Sequence, residues 1–303
     1  MLEVFAYYAG KGECIRLHFA QTHNLFIDSG VTRFAQTFCR ICDEINESNE
    51  QLDALILTHV DNDHIGGLLT NLRNPSYQFP FDEVWMNHGE PEAMGDIPLS
   101  VRQNDEVYAR LLERGVVIKT MLANDCKQVA GAQIRTFWPQ SPFEYSKDQE
   151  QQDILLAHRN DYYSSLSSLA MNPIDSHDTS LNNRKSIVFT FRYDNRAILF
   201  TGDAWAEDVM RAEGIYDLIK LPHHGSVKNI SEDYPSAIRS NNFLVCADGS
   251  DHPDKQTIAK LEKWYGNINI FSPCDWWERV FFVENDKEHG IRYFKKEGLV
   301  IEW

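Results

Sequence analysis

Four side chains able to bind metal lie within six residues of the stretch from Thr58 to Gly67. They are His59, Asp61, Asp63 and His64, in the order His-x-Asp-x-Asp-His. An apolar run at 54–57 precedes them and predicts a buried strand. Gly66-Gly67 follows and lets another backbone segment approach closely. Imidazole suits zinc, copper, iron and nickel, and carboxylate adds manganese, so the sequence predicts a metal site at this strand end.

A second group of possible ligands lies in the second half of the chain. Asp203 follows an apolar segment at 197–200, and His223 and His224 follow another at 216–221. A carboxylate at the position of Asp203 could bridge two metal ions. Counting one or both histidines, the two groups supply six or seven ligands. That is too many for one zinc ion and suits a pair of ions about 3.5–4 Å apart.

Both halves of the chain show the same order of predicted elements. The first half has strands at 2–8, 13–19, 24–28 and 52–57 with a helix at 31–46, and Asp28 ends the third strand. The second half has strands at 186–193, 197–200 and 216–221 with a helix near 206–213. Two similar halves that deliver ligands to one edge predict two sheets packed face to face, with helices outside.

Residues 141–182 stand apart from this repeated plan. They are rich in Gln, Asp, Asn and Ser, and they predict an insertion with a possible helix at 148–169. The insertion either caps the site or is a surface excursion without a role. No linker composition interrupts the chain, so residues 1–303 are predicted to form a single domain. The end of the chain, 291–303, predicts a closing hairpin around Glu297-Gly298.

The composition limits the classes of partner and compartment. The chain has 303 residues, six cysteines and a formal net charge of −16. The cysteines do not form a disulfide framework, and no signal peptide or membrane span is predicted, so we expect a cytoplasmic protein without a membrane partner. The charge opposes nonspecific binding of polyanions. Two divalent cations would reverse the local charge, so a phosphate substrate remains compatible with it.

Together these motifs resemble those of metallo-β-lactamase-fold hydrolases. The first motif resembles the superfamily's His-x-His-x-Asp-His, with Asp61 in place of the second histidine. Asp28 matches an aspartate earlier in the superfamily pattern, Asp203 the bridging aspartate and His223-His224 the final histidine motif. The resemblance implies an α/β fold, a four-layer αββα sandwich of the metallo-β-lactamase type. It also implies two Zn²⁺, or Mn²⁺, bound by His59, Asp61, Asp63, His64, Asp203, His223 and His224.

Further motifs narrow the resemblance. Gly10-x-Gly12-Glu13, Asn183-x-x-Ser186, the run Leu-Pro-His-His-Gly-Ser at 221–226 and His252-Pro253 resemble the soluble hydrolase domain of the DNA-uptake protein ComEC, whose membrane segments this sequence lacks. Bacterial phosphorylcholine esterases resemble it too, with the same aspartate-substituted motif. The third-motif histidine of the wider superfamily is absent, because the corresponding strand ends in Trp138-Pro139. His223 and His252 are the candidates to complete the first metal site.

The resemblance implies metal-dependent hydrolysis with a hydroxide that bridges the two ions as the nucleophile. The predicted function is a two-zinc phosphodiesterase or nuclease, and its substrate a phosphodiester in nucleic acid or a nucleotide. Two alternatives remain open. One is a small-ester hydrolase of the phosphorylcholine-esterase type. The other is a non-catalytic regulatory or binding module that keeps the fold.

Individual roles follow from these resemblances as predictions. Asp63 is expected to be a ligand needed for catalysis, and His252 to protonate the leaving group or to complete the first metal site. Asn183 and Ser226 are expected to hydrogen-bond the phosphate or to support the site, with turn and cap formation as the plainer alternative. Asp28 is expected to hold a ligand histidine, or the loop of Asp63, from behind.

Overall fold

The computed structural model describes residues 1–89, 99–142, 159–286 and 289–303. Within them the strands are β1 (Leu2–Ala6), β2 (Ile15–Phe19), β3 (His23–Ile27), β4 (Gln51–Ile56), β5 (Glu83–Trp85), β6 (Val117–Lys119), β7 (Cys126–Val129), β8 (Ala132–Trp138), β9 (Val188–Tyr193), β10 (Arg196–Phe200), β11 (Gly214–Ile215), β12 (Leu218–Lys220), β13 (Ile238–Arg239), β14 (Asn242–Leu244), β15 (Ile268–Ser272), β16 (Ile291–Lys295) and β17 (Gly298–Glu302). The α-helices are α1 (Ala35–Glu47), α2 (Asn62–Leu72), α3 (Leu99–Glu113), α4 (Leu166–Met171), α5 (Leu181–Arg184), α6 (Ala206–Val209), α7 (Tyr234–Ala237) and α8 (Lys255–Tyr265).

Two large mixed sheets form the middle of the molecule. The first has the strand order β17-β1-β2-β3-β4-β5-β6, and the second has the order β16-β15-β14-β12-β10-β9-β8-β7. In the first sheet β3 pairs antiparallel with β2 and parallel with β4. In the second sheet β10 pairs antiparallel with β9 and parallel with β12. This equivalence confirms the repeated plan that the sequence predicted.

The strands alternate their side chains between separate apolar cores. Leu25 and Ile27 of β3 face the core between the sheets, while Phe26 faces the core beneath α1 and α2. On β10, Ile198 also faces the core between the sheets, while Leu199 packs into the core shared with α8. Strands buried on both faces read as continuous apolar runs, as here. Three cores therefore separate four layers, which confirms the predicted αββα sandwich.

The outer helices bury one face each, as amphipathic periodicity predicts. On α1 the buried positions are Phe38, Ile41, Cys42 and Ile45, which recur every three or four residues. This spacing places them on one stripe against the first sheet. None of the helices in the described ranges combines the length and the apolar character needed to cross a membrane.

The two C-terminal strands correct the predicted closing hairpin. β16 pairs in parallel with β15 of the second sheet, whereas β17 pairs antiparallel with β1 of the first sheet. The turn before Gly298 therefore passes from one sheet to the other. The backbones of Leu2 and Trp303 exchange hydrogen bonds of 3.1 and 2.9 Å, and Val300 is buried between the sheets. β17 thus covers an otherwise open edge of β1.

The described part of the predicted insertion is integrated into the fold. A 3₁₀ turn at Arg159–Tyr163 is followed by α4, which buries Leu166 and Leu169 in the core shared with α8. The chain then returns to the edge where the strands end. The predicted helix at 148–169 lies largely outside the described residues. Its described end contains two short helical elements instead of one continuous helix.

Candidate metal centre

The predicted ligands collect at the carboxyl ends of three strands. They are His59, Asp63 and His64 after β4, Asp203 after β10, and His223 and His224 after β12. β4 and β12 each run parallel to the central strand of their own half, β3 and β10 respectively. Side chains that follow parallel strands meet outside the carboxyl edge of a sheet, where α/β folds commonly bind ligands.

Two glycines let the loops around the centre pack closely. A Cβ on Gly12 would lie 2.3 Å from the backbone oxygen of Asp63, and one on Gly67 would lie 2.1 Å from that of Ser29. Both distances are far inside nonbonded contact, so a larger residue would displace the backbone. The two glycines therefore fix the first turn of α2, which carries Asp63 and His64.

The Oδ2 atom of Asp203 lies at the middle of the arrangement. It is 3.4 Å from Nε2 of His64, 3.6 Å from that of His224, 3.8 Å from that of His59 and 4.0 Å from that of His223. Tetrahedral zinc holds its ligand atoms at about 2.0–2.2 Å, which separates neighbouring ligand atoms by about 3.3 Å. Asp203 Oδ2 and the nearer Nε2 atoms are therefore close enough to bind the same metal ion.

Among the described residues, three sets of possible ligand atoms lie within 4.8 Å of one another, and two of these sets define adjacent positions at the centre. One set is His59, His64 and Asp203, and the other is Asp63, His64 and His224. In the second set, Oδ2 of Asp63 lies 3.3 Å from Nε2 of His224 and 4.0 Å from that of His64. The sets share His64, and Asp203 Oδ2 reaches both. The geometry is therefore compatible with a pair of ions.

Each ligand imidazole turns one nitrogen to the centre and the other to a protein partner. Nδ1 of His64 donates to Oδ2 of Asp28 at 2.7 Å, and Nδ1 of His224 donates to the backbone oxygen of Cys246 at 2.6 Å. Within the described part of the chain, the buried Nε2 atoms of His59, His64 and His224 have no hydrogen-bond partner. Buried nitrogens without partners are costly. Divalent cations at the two positions would satisfy all three, so these residues fit a zinc or manganese centre.

Asp28 lies directly behind His64. It is fully buried, and it accepts hydrogen bonds from the backbone nitrogen and the hydroxyl of Thr58 at 2.8 and 2.7 Å. Its bond from Nδ1 of His64 places the proton on that nitrogen and leaves Nε2 free to ligate. This is the usual role of a carboxylate behind a metal-binding histidine.

Two of the predicted ligands, Asp61 and His223, lie at the edge of the centre. Oδ2 of Asp61 is 3.8 Å from Nε2 of His59, and its Oδ1 accepts a hydrogen bond from Asn182. Nε2 of His223 is 4.0 Å from Asp203 Oδ2. Among the described residues, neither belongs to a mutually close set. Both lie within reach of the centre but less tightly than the other five.

A buried lysine that sequence reasoning missed lies behind Asp203. Nζ of Lys220 donates to the backbone oxygen of Gly202 at 2.9 Å, forms an ion pair with the buried Glu13, and lies 3.6 Å from Oδ1 of Asp203. The side chain is fully buried. A lysine inside the otherwise apolar segment 218–221 was the signal that could have found it. It supplies a fixed positive charge beside the carboxylates of the centre.

The carboxylates make the metal-free centre strongly electronegative. Burial alone would lower the pKa of His64, yet the nearby carboxylates, Asp203 foremost, raise it well above its usual range. Burial opposes ionisation of Asp203 as well, but the charges of the histidines, led by His64, hold its pKa well below the usual range. Without metal, protons therefore supply the positive charge that the carboxylates demand.

His252 lines a cavity beside the centre. The cavity has a volume of about 50 Å³, and its lining includes Lys11, Asp63, His223, His224, Asp248 and His252. Both ring nitrogens of His252 are buried and lack a hydrogen-bond partner among the described residues. Burial, reinforced by the charges of His223 and His224, lowers the pKa of His252 well below its usual range. A neutral, unpaired ring at this place is suited to hydrogen-bond a substrate.

The set of His59, His64 and Asp203 corresponds to the first metal site of the sequence analysis, and it has no imidazole where the superfamily's third-motif histidine was expected. Pro139, just after β8, lines a small cavity together with His59 and Asn182. The cavity has a volume of about 10 Å³, close to the minimum for one water molecule. Of the two candidates to complete this position, His223 lies nearer, because its Nε2 faces Asp203. The His252 ring packs against the His223 ring with centroids 4.9 Å apart.

Asn183 and Ser226 make hydrogen bonds within the protein, beside the loop of His223. Asn183 is buried, and its Nδ2 donates to Oδ2 of Asp178 at 2.8 Å. Ser226 caps the 3₁₀ turn Val227–Asn229, where its hydroxyl accepts the backbone N–H of Lys228. Both residues therefore support the loop of His223 from behind. These contacts agree with the cap and support roles, and contact with a phosphate stays a prediction.

The stability of the metal-free chain is expected to fall as the pH rises from about 6.5 to about 9. Burial lowers the pKa of His223, but Asp203 and Asp178 raise it from 6.5 to about 9. The folded state then holds a proton that the unfolded state releases, so this stabilisation is complete below pH 6.5 and lost through pH 9. Its upper bound is about 3.5 kcal/mol, at about 1.4 kcal/mol per pKa unit.

Thermal unfolding across this pH range, with a chelator present, measures the effect. The His223→Ala variant should show a shallower decline. Saturating zinc should reverse the trend, because metal binding requires unprotonated imidazoles. A metal-free chain whose melting temperature stays level or rises over the interval would show that His223 does not carry this proton.

One protein-family profile matches the part of the chain that carries the first candidate ligands. The Metallo-beta-lactamase superfamily profile matches residues 19–74, which include β3, β4 and the whole His-x-Asp-x-Asp-His motif. Together with the αββα layers, this match confirms the predicted resemblance and fold. The chain has the metallo-β-lactamase fold, and the imidazole and carboxylate side chains at its strand ends could hold a metal.

Individual proteins show the same similarity at low sequence identity. ComE operon protein 3 of Bacillus subtilis (strain 168) is 21 % identical over 225 residues, which are 71 % of this chain and 23 % of that protein. The chain therefore corresponds to less than a quarter of that relative's length. The metallo-beta-lactamase fold protein YhfI from Bacillus subtilis is 11 % identical, with all of both chains covered and a TM-score of 0.47. Zn²⁺-bound PqqB from Methylobacterium extorquens is 13 % identical, with 97 % of this chain and 88 % of that chain covered and a TM-score of 0.49.

Proposed function

We propose that the chain is a phosphodiesterase that uses two zinc or manganese ions and acts on a nucleic acid or a nucleotide. The observation that carries the proposal is the position of Asp203, whose Oδ2 lies 3.4–4.0 Å from the Nε2 atoms of four histidines. A carboxylate oxygen at such a position can serve two ions at once. Paired ions suit phosphoryl transfer, because they stabilise both the attacking and the leaving oxygen.

The aspartate-substituted first motif supports a phosphodiester in preference to a lactam. Asp61 stands where the wider superfamily has a histidine, as in the ComEC-type hydrolase domain that the sequence resembles. The similarity to ComE operon protein 3 over most of this chain agrees with that resemblance. The net charge of −16 opposes nonspecific binding of duplex DNA. Recognition at the centre itself therefore favours a nucleotide or a strand end as the substrate.

The residues of the chain have separate tasks in this proposal. Bound divalent ions would acidify water and offset negative charge on phosphate oxygens. Asp63 and His224 would hold one ion, and Asp28 and the backbone of Cys246 keep His64 and His224 in the tautomer that presents Nε2. His252 offers unpaired nitrogens to the substrate from the adjacent cavity.

Hydrolysis of bis-p-nitrophenyl phosphate by the chain loaded with Zn²⁺ or Mn²⁺ tests this function. We expect turnover, with slower cleavage of p-nitrophenyl phosphorylcholine. Asp63→Asn should reduce turnover by more than about 100-fold, since changes behind a ligand already cost about 10–100-fold. Asp82→Asn is the matched control, because Asp82 is exposed and lies outside the centre.

Other outcomes would redirect the assignment. Preference for the phosphorylcholine ester would indicate the small-ester hydrolase considered from the sequence. A metal-loaded, folded chain without turnover on either ester would contradict the proposal and favour a binding module.

A further inference from the structure

A segment that begins in the predicted insertion and ends one residue after it reaches both edge residues of the centre. The segment is residues 178–183, named here the positioning segment. Its anchor is Asp178, which is 4 % exposed. Oδ2 of Asp178 accepts hydrogen bonds from Nδ2 of Asn183 and Nδ2 of Asn229, both at 2.8 Å, and its Oδ1 accepts the backbone N–H of Ser180 at 2.9 Å. A carboxylate buried with three donors is held firmly in one orientation.

Asp178 determines how the ring of His223 is held. Because Nδ2 of Asn229 donates to Asp178, the Oδ1 of Asn229 is left to face Nδ1 of His223, 3.0 Å away. Asp178 Oδ2 itself lies 3.5 Å from the same nitrogen. These neighbours favour a proton on Nδ1, which leaves Nε2 as the lone-pair nitrogen on the side of Asp203.

The other end of the positioning segment holds Asp61. Nδ2 of Asn182 donates to Oδ1 of Asp61 at 3.0 Å, and the second oxygen of Asp61 is the one near Nε2 of His59. The segment is fixed to the second sheet's loops by two further bonds. Nε1 of Trp205 donates to the backbone oxygen of Ser180, and the backbone N–H of Asp178 donates to the backbone oxygen of Lys228.

We infer that the positioning segment, through Asp178 and Asn182, orients His223 and Asp61 so that these two edge residues complete the binding of one metal ion. The inference rests on the proposed two-metal function. It explains how a centre without the third-motif histidine retains its first position, since the segment places two ligands that are otherwise loosely held. Asp178 and Asn182 are positioning residues that act through the ligands and do not touch the substrate.

Zinc binding to the metal-free chain, measured by competition with a chromophoric chelator and without substrate, tests the inference. Asp178→Asn keeps the side-chain shape but replaces one acceptor oxygen by a donor. We expect one of the two dissociation constants to weaken by about 10–100-fold while the other changes by less than about twofold. Asp175→Asn, three residues earlier and exposed, is the matched control and should change neither constant.

The same titration in a His223→Ala background separates positioning from general damage. There Asp178→Asn should have no further effect, because the ligand through which it acts is gone. An equal loss in both backgrounds, or two unchanged constants in Asp178→Asn, would overturn the inference.

Asn182→Ala is a second test that applies even if the Asp178 variant folds poorly. Asn182 is half-buried and acts on Asp61, so this variant should also weaken one dissociation constant, and two unchanged constants would contradict the inference. Wild-type chain that binds fewer than two ions would refute the proposed function instead, and the inference with it.

Discussion

Asp203→Asn is expected to abolish two-metal binding and to reduce phosphodiester hydrolysis by more than about 100-fold. The substitution keeps the volume of the side chain but removes the anionic oxygen that lies within 4.0 Å of four imidazole nitrogens. Mutation of residues that hold metal ligands from behind typically reduces metal affinity or activity by about 10–100-fold. Asp203 lies beside the histidines of both candidate positions, so its substitution should have a larger effect. Metal content after dialysis and turnover of bis-p-nitrophenyl phosphate measure the two consequences.

Asp208→Asn is the matched control for this variant. Asp208 is also a fully buried aspartate, five residues along the chain, but it pairs with Arg184 and Arg211 and not with the centre. It should retain both ions even if its stability falls. A folded Asp203→Asn chain that still binds two ions and turns over normally would show that Asp203 does not bridge the positions.

Lys220→Met is expected to lower the free energy of unfolding of the metal-free chain by about 3–5 kcal/mol. Removing one partner of a buried ion pair leaves the other charge without compensation in a low-dielectric interior. Here the abandoned partner is Glu13, which is fully buried, and Asp203 loses the cation 3.6 Å from its Oδ1. Urea unfolding in the presence of a chelator measures the loss.

The double variant Glu13→Gln/Lys220→Met should be less destabilised than the sum of its single variants, because neither charge is then left alone. Lys119→Met is the matched control. Lys119 also pairs with a glutamate, Glu83, but its side chain is about half exposed, and screened surface pairs contribute little. Additive losses from the two single changes would show that Glu13 and Lys220 do not stabilise one another.

The architecture could be predicted where local periodicity carried the information. β3 and β10 are apolar on both faces, which indicated strands buried between two layers, and each is followed by an aspartate. The pairing of β17 could not be predicted in this way. A turn between two short strands has the same local pattern whether the strands pair with one another or with β15 and β1 of different sheets. Only the tertiary arrangement decides which edge the last strand covers.

The residues of the site likewise differ in whether the local sequence could predict them. The ligands after β4 form one local motif, so their types and spacing were sufficient to suggest a metal. Asp178 was missed because nothing within its polar neighbourhood distinguishes it from the exposed Asp175. Its role arises from contacts with Asn229 and His223 that lie 51 and 45 positions away. Lys220 was missed although its burial could have been predicted from the apolar residues around it.

The number of metal ions bound per folded chain tests the central claim most directly. The metal-free protein is equilibrated with Zn²⁺ at micromolar concentration, dialysed, and measured for zinc and protein content, with circular dichroism to confirm that it is folded. Asp203 at the meeting point of His59, His64 and His224 predicts close to two ions per chain. A folded chain that binds one ion or none under these conditions would contradict the two-metal centre.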